Sequence, residues 1–104
     1  MRGEIWMIDL GLAAKPRPAV ILSVPFADDE KAVVTYVART LQRRGGRFEV
    51  QHAAPQFLPG VFDAQNLGTV PTVKLMRRLG RLHAREFAEV EAAVKQWLGF
   101  ENAV

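Results

Sequence analysis

AAKPRPAVILS, residues 13–23, is the stretch on which the reading of this chain turns. Lys15 and Arg17 each stand directly before a proline, and a run of apolar β-formers follows from Pro18 to Val24. Such a run, bounded by turn signals, reads as a strand buried on both faces. A residue before proline is pushed into the extended region, and proline, lacking an N–H, is tolerated at the start or edge of a strand. Lys15 and Arg17 are thus cations carried on a stiffened backbone at the mouth of a buried strand. The arrangement suits a charge held against a phosphate with little ordering cost. It equally describes an exposed turn whose basic residues aid solubility.

Working outward, residues 3–10 read as a strand with Trp6, Ile8 and Leu10 on one face and Ile5 and Met7 on the other. Gly11 to Ala14 form a short loop, and ADDEK (27–31) a polar turn. AVVTYVART (32–40) is a third strand, rich in β-branched residues. RRGG (43–46) reads as a hairpin turn and RFEVQ (47–51) as the returning strand. Residues 52–61, with Pro55, Pro59 and Gly60, read mostly as loop. Residues 65–74 hold a further strand notched by Gly68 and Pro71, which suggests an edge or a bulge.

The period then changes. Phe87, Val90, Val94, Trp97 and Leu98 recur at helical spacing opposite Glu86, Glu89, Glu91 and Lys95, so an amphipathic helix is expected at about 84–98. Gly99 supplies its stop; no Ser, Thr, Asp or Asn at 82–85 offers a good N-cap. Five strands and a terminal helix predict a mainly β, α+β fold: one small β-barrel domain over 1–104 with the helix docked on it.

The composition, 49% hydrophobic and 24% charged, is that of a folded domain and argues against disorder. There is no cysteine, so disulfides and thiolate metal sites are excluded and a reducing cytosol suits the chain. No apolar run approaches the roughly 20 residues that span a bilayer, and Glu4 and Asp9 interrupt the N-terminal apolar stretch, unlike a signal peptide. Charge is uneven. Residues 43–85 carry eight basic residues, seven of them arginine, against Glu49 and Asp63, while residues 86–104 carry four glutamates against Lys95. Arginine's fork matches phosphate. A polyanionic partner follows naturally, as does a merely solvated arginine-rich surface. Phosphate-binding glycine loops, paired-histidine metal motifs and nucleophile elbows are absent. His52 and His83 are expected at the surface, with no metal site.

RGEIWMIDLG (2–11) followed by RPAVILS (17–23) resembles the MazF/PemK family of toxin endoribonucleases. VVTYVARTLQ (33–42), FDAQNLGTV (62–70) and RRLGRL (77–82) extend the resemblance over almost the whole chain. It implies a PemK-type, SH3-like barrel and a metal-independent ribonuclease, without cofactor, that cuts single-stranded mRNA at short sequences. It also implies a cytoplasmic homodimer neutralised by a cognate antitoxin. Residue by residue, Arg17 takes the place of the family's catalytic arginine, Thr40 that of the threonine after the third strand, and Gln65 that of the glutamine in the later strand.

The chemistry implied is transesterification: the 2′-OH attacks the adjacent phosphorus, giving a 2′,3′-cyclic phosphate and a 5′-OH. It needs the ribose hydroxyl, so DNA does not serve. Arg17 suits the charge growing on the phosphoryl oxygens, and Thr40 can donate a hydroxyl proton to one of them. Glu4, Asp63 and His52 are the candidate bases, none singled out by sequence. Lys15, Arg43, Arg44, Arg47, Arg77, Arg78 and Arg81 are candidates for an RNA groove, contributing affinity and salt dependence rather than sequence readout. Tyr36, Phe57 and Phe62 are either base-stacking platforms or core residues. The same groove suits an acidic antitoxin segment that orders on binding. Three departures stand out. GLAAKPRP replaces a longer family loop, ARTL (38–41) replaces P-x-T-S, and Phe62 and Ala64 occupy positions where some members carry Arg and Asp. Two other readings remain open: a toxin-fold module that grips a protein target, as gyrase poisons do, and a non-cutting RNA-binding regulator.

Overall fold

The computed structural model describes residues 1–11 and 15–100; of the expected loop 11–14, only Gly11 lies within them. In chain order the elements are β1 (Glu4–Ile8), β2 (Arg17–Ile21), β3 (Val33–Thr40), β4 (Glu49–Ala54), β5 (Phe57–Pro71), β6 (Leu75–Arg81) and α1 (Ala84–Leu98). One antiparallel sheet takes all six strands, in the order β4-β5-β3-β2-β1-β6. The mainly β fold with a C-terminal helix is as expected, but the closed SH3-like barrel is corrected to a curled open sheet. Its edge strands β4 and β6 form no ladder, because the chain leaves β6 at Leu82 and enters α1, which packs on β4 and β5.

Strand alternation sorts the apolar residues into two clusters, one per face. Ile5, Val20, Val37, Phe62 and Ala64 meet Val90, Ala93 and Val94 of the helix. Ile8, Ala19, Ile21, Val34, Tyr36 and Ala38 gather on the other face with Trp6 and Leu10, closed over by Val70 and Leu75 as the sheet curls. β2 lies between β1 and β3 and buries Ala19, Val20 and Ile21, the strand covered on both faces that its apolar run required. Tyr36 belongs to this second core and its ring fills the notch at Gly68, while Phe62 is 1% exposed; neither is a stacking platform.

Three further expectations are corrected. RRGG does not close a hairpin, because β4 pairs with β5 and not with β3; residues 41–48 are a crossover. Residues 52–61 are not mostly loop. β4 runs to Ala54, Pro55 and Gln56 make the turn, and β5 starts at Phe57. Pro59 is accommodated because the β4–β5 register slips between His52 and Ala54, a bulge where a missing N–H leaves no ladder bond broken. The sixth strand, LMRRLGR, lacks a buried row. It is an edge strand paired only with β1, and its arginines discourage further pairing.

The helix spans the expected residues. Gly99, at φ 74°, adopts the left-handed conformation that ends it. Its start is better capped than the sequence suggested: the His83 backbone N–H donates to Glu86 Oε1 at 3.3 Å, and that carboxylate also faces the positive end of the helix dipole. Arg2 pins the helix to the sheet by pairing with Glu91, lying 4.7 Å over the Phe87 ring and donating to the Leu22 carbonyl.

Candidate active site

Arg17 is the first residue of β2 and Thr40 the last of β3. The register pairs Ala19 with Ala38 and Val20 with Val37; carried two residues on, it sets Arg17 opposite Thr40. Both fall on the face of Ala19 and Ala38, away from the helix. There a cleft of about 420 Å³ is lined by Arg17, Thr40, Gln42, Arg44, Asp63 and Gln65, among others. Asp63 and Gln65 reach it from β5 because they alternate with the inward-facing Phe62 and Ala64.

Hydrogen bonds fix the polar groups in this cleft. Thr40 Oγ1 accepts the Gln42 N–H at 3.2 Å, leaving its own hydrogen to donate. Glu49 accepts the N–H groups of Arg44 at 3.1 Å and Gly45 at 3.0 Å, so this carboxylate shapes the basic loop. Asp63 Oδ1 accepts the Gln65 N–H at 3.0 Å. The exposed Arg17 guanidinium stands at the rim. A second cleft, about 340 Å³, shares Arg17 and Thr40 and is bounded by Lys15, Pro16, Pro18, Arg39, Leu41, Phe57 and Leu58.

The other candidates scatter. Arg43 is exposed in the 41–48 crossover. Arg47 lies 4.5 Å over the Phe48 ring and lines a separate cleft against the helix. Arg77, Arg78 and Arg81 lie on the β6 edge, where Arg78 pairs with Glu4 at 3.3 Å and Arg81 donates to the Arg2 carbonyl. The three candidate bases separate too. Glu4 is taken by Arg78 and by Trp6 Nε1 at 3.0 Å; the Trp6 hydrogen bond in particular holds its carboxyl below the usual range. His52 is not at the surface as expected but 6% exposed, its Nδ1 accepting from Arg39 Nε at 2.9 Å. Asp63 alone of the three lines the cleft with Arg17.

Gln42 and Asn66 were not among the sequence candidates, and nothing in their local sequence distinguishes them. Arg39 was missed as well. Its signal lay in strand alternation, since it continues the inward row of Val37. No group of three or more metal-binding side chains occurs among the described residues, and no described helix is long and apolar enough to cross a membrane.

No curated protein matches the sequence at a significant level. Solved structures do match in fold. An endoribonuclease in complex with its cognate antitoxin from a mycobacterial species is 26% identical, with a TM-score of 0.84 over 97% of this chain and 96% of that one. The Mycobacterium tuberculosis toxin MazF-mt6 is 28% identical, with a TM-score of 0.78 over 92% of this chain and 96% of its own. A MazE–MazF structure from Deinococcus radiodurans, 22% identical over 96% of each chain with a TM-score of 0.79, shares the fold. The family model described as PemK-like, MazF-like toxin of type II toxin–antitoxin systems matches residues 1–98, and to that family the chain belongs.

Proposed function

We propose that this toxin is a metal-independent endoribonuclease that cleaves single-stranded mRNA in the cytoplasm at a short sequence around Arg17 and Thr40. The observation that carries the reading is their juxtaposition: a guanidinium and a free hydroxyl hydrogen on facing strand ends, in one cleft with a carboxylate. The 2′-oxygen attacks phosphorus as its proton passes to Asp63. The P–O5′ bond breaks, the leaving oxygen takes a proton from water, and the hydroxide so formed recovers the proton held by Asp63, restoring the carboxylate. Arg17 meets the charge growing on the phosphoryl oxygens, and Thr40 donates to one of them. Arg44 and Lys15 add phosphate attraction on either side.

Two partners follow from the family. The basic rim suits an acidic antitoxin segment that orders as it binds. A homodimer is the working form, for which the exposed Val73, just before β6, and Met76 within it offer apolar surface.

The test is long mRNA incubated with purified protein in EDTA, read by primer extension. Cleavage persists, the products carry 2′,3′-cyclic phosphate and 5′-OH ends, and a 2′-deoxy nucleotide at the cut site blocks it. Arg17→Ala lowers the rate by about 10²–10³. Intact RNA, or undiminished cutting by Arg17→Ala, defeats the proposal.

A further inference from the structure

Arg39 has no part in the chemistry above, yet it is 4% exposed, and no ion pair reaches it among the described residues. A buried guanidinium without a carboxylate is costly, and an apolar side chain of similar volume would fill the space at lower cost. What the guanidinium gains is direction. Nε donates to His52 Nδ1 at 2.9 Å, and Nη2 donates to the carbonyls of His52 at 3.0 Å and Leu58 at 2.5 Å. The group lies 4.9 Å over the Phe57 ring, and Nη1 rests against Gly60, where a Cβ would stand only 3.0 Å away.

These contacts tie the end of β3 to β4 and to the first residues of β5. The next residue is Thr40, on the opposite face of the sheet. The residues gripped on the other side, Phe57 and Leu58, form the lip of the cleft that shares Arg17 and Thr40. We propose, on the ribonuclease reading, that Arg39 is a positioning residue: bound to an unprotonated His52, it holds Thr40 and the β4–β5 lip in one fixed relation to Arg17, and turnover requires that hold.

The dependence on His52 follows from hydrogen-bond chemistry. Nδ1 accepts only while it carries no proton, and in the imidazolium both ring nitrogens donate. The groups facing His52 are Arg39 from β3, Arg81 from β6, and His83 and Glu86 from the helix and its cap. Burial, reinforced by Arg39 and His83, keeps the imidazole neutral at pH 7, with Glu86 pulling the other way. Protonation in acid turns Nδ1 from acceptor to donor against a guanidinium and releases the β3 end.

Three variants test this on an oligonucleotide containing the wild-type cut sequence, each with a melting curve. Arg39→Lys keeps the charge but loses the fork; kcat falls about 10–100-fold while KM changes less than threefold, as misplacement of a positioned group predicts. Arg39→Met, which fills the volume without hydrogen bonds, behaves alike. His52→Asn retains an acceptor near the Nδ1 position and cannot titrate, so it keeps neutral-pH turnover and carries the acid limb of the kcat profile to lower pH. A folded Arg39→Lys with kcat reduced less than fivefold overturns the proposal, as does an unchanged acid limb in His52→Asn, which decides the matter should the Arg39 variants fail to fold. A wild-type protein that cuts no RNA defeats the ribonuclease reading and this proposal with it; wild-type cleavage matched to within fivefold by a folded Arg39→Lys defeats this proposal alone.

Discussion

Gly60→Ala measures how tightly the corner beneath the cleft is built. A Cβ at residue 60 would stand 2.7 Å from the Thr40 carbonyl oxygen and 3.0 Å from Arg39 Nη1, whereas ordinary contact begins at 3.4 Å. The oxygen must retreat by about 0.7 Å, the difference of 3.4 and 2.7 Å, yet Thr40 is paired with Val61 in the β3–β5 ladder and cannot move alone. Overpacking of this kind costs roughly 1–3 kcal/mol, and the stiffer unfolded chain returns about 0.4–1 kcal/mol. The net loss is on the order of 1–2 kcal/mol, and at about 4–8 °C per kcal/mol for a domain of this size the midpoint falls by roughly 4–16 °C. Gly46→Ala is the control: its Cβ meets nothing within 4 Å, so its melting temperature stays level or rises slightly. Differential scanning calorimetry on the two variants decides. Equal melting of Gly60→Ala and wild type would refute the close approach of β5, Thr40 and Arg39 on which the site geometry rests. Because the displaced atom belongs to Thr40, RNA cleavage by Gly60→Ala also falls well below its melting range.

Other consequences can be measured alongside. Thr40→Ser keeps the hydroxyl and stays within about tenfold of wild-type turnover, whereas Thr40→Val, similar in shape, loses about 10²–10³, read as initial cleavage rates. Arg44→Ala reduces the slope of log binding constant against log salt on single-stranded RNA by about 0.7, while Arg78→Ala, whose guanidinium is held by Glu4, leaves it unchanged; equal effects would contradict the separation of the two arginines. Folded-state titration of His52 lies below its ordinary value of 6.5 because it is buried. Between those two values the unfolded chain binds a proton that the native chain does not, so stability contributed by His52 is complete above 6.5 and declines as pH falls toward the folded value. Melting midpoints of His52→Asn depend less steeply on pH in that window.

How much could be read from the sequence depended on where each residue's reasons lay. The β1 faces, β2, β3 and the helix were legible because apolar side chains carried them: Ile5 and Ile8 do go to opposite clusters, and Val90 and Val94 do face the sheet. β6 was not legible, since an edge strand is held by backbone pairing and needs no buried row. Pro59 and Gly60 read as breakers because a bulge and a close approach are properties of the partner strand. The same division runs through the site. Arg17 and Thr40 stand out by their neighbours in sequence, whereas the meeting of Asp63 with them depends on β5 passing beside β3, which the misread hairpin at 43–46 concealed.

The two arginines at this corner show how one residue type is given opposite duties by strand parity. Arg17 lies opposite Thr40 on the face away from the helix; it stays hydrated, and its donors remain available to an incoming phosphate. Arg39, one residue before Thr40, falls on the helix-facing side, loses its water and spends Nε and Nη2 on His52 and Leu58. Charge does not distinguish them, because a guanidinium stays protonated in both settings. Alternation does. A slip of β3 by one residue would point Arg39 toward the cleft that holds Asp63, which it does not line, and Thr40 toward the core, exchanging a positioned hydroxyl for a second cation there. The β3–β5 ladder and the core residues Val37 and Tyr36 resist that slip, so the packing of the two apolar clusters sets which group stands beside Arg17 and Asp63.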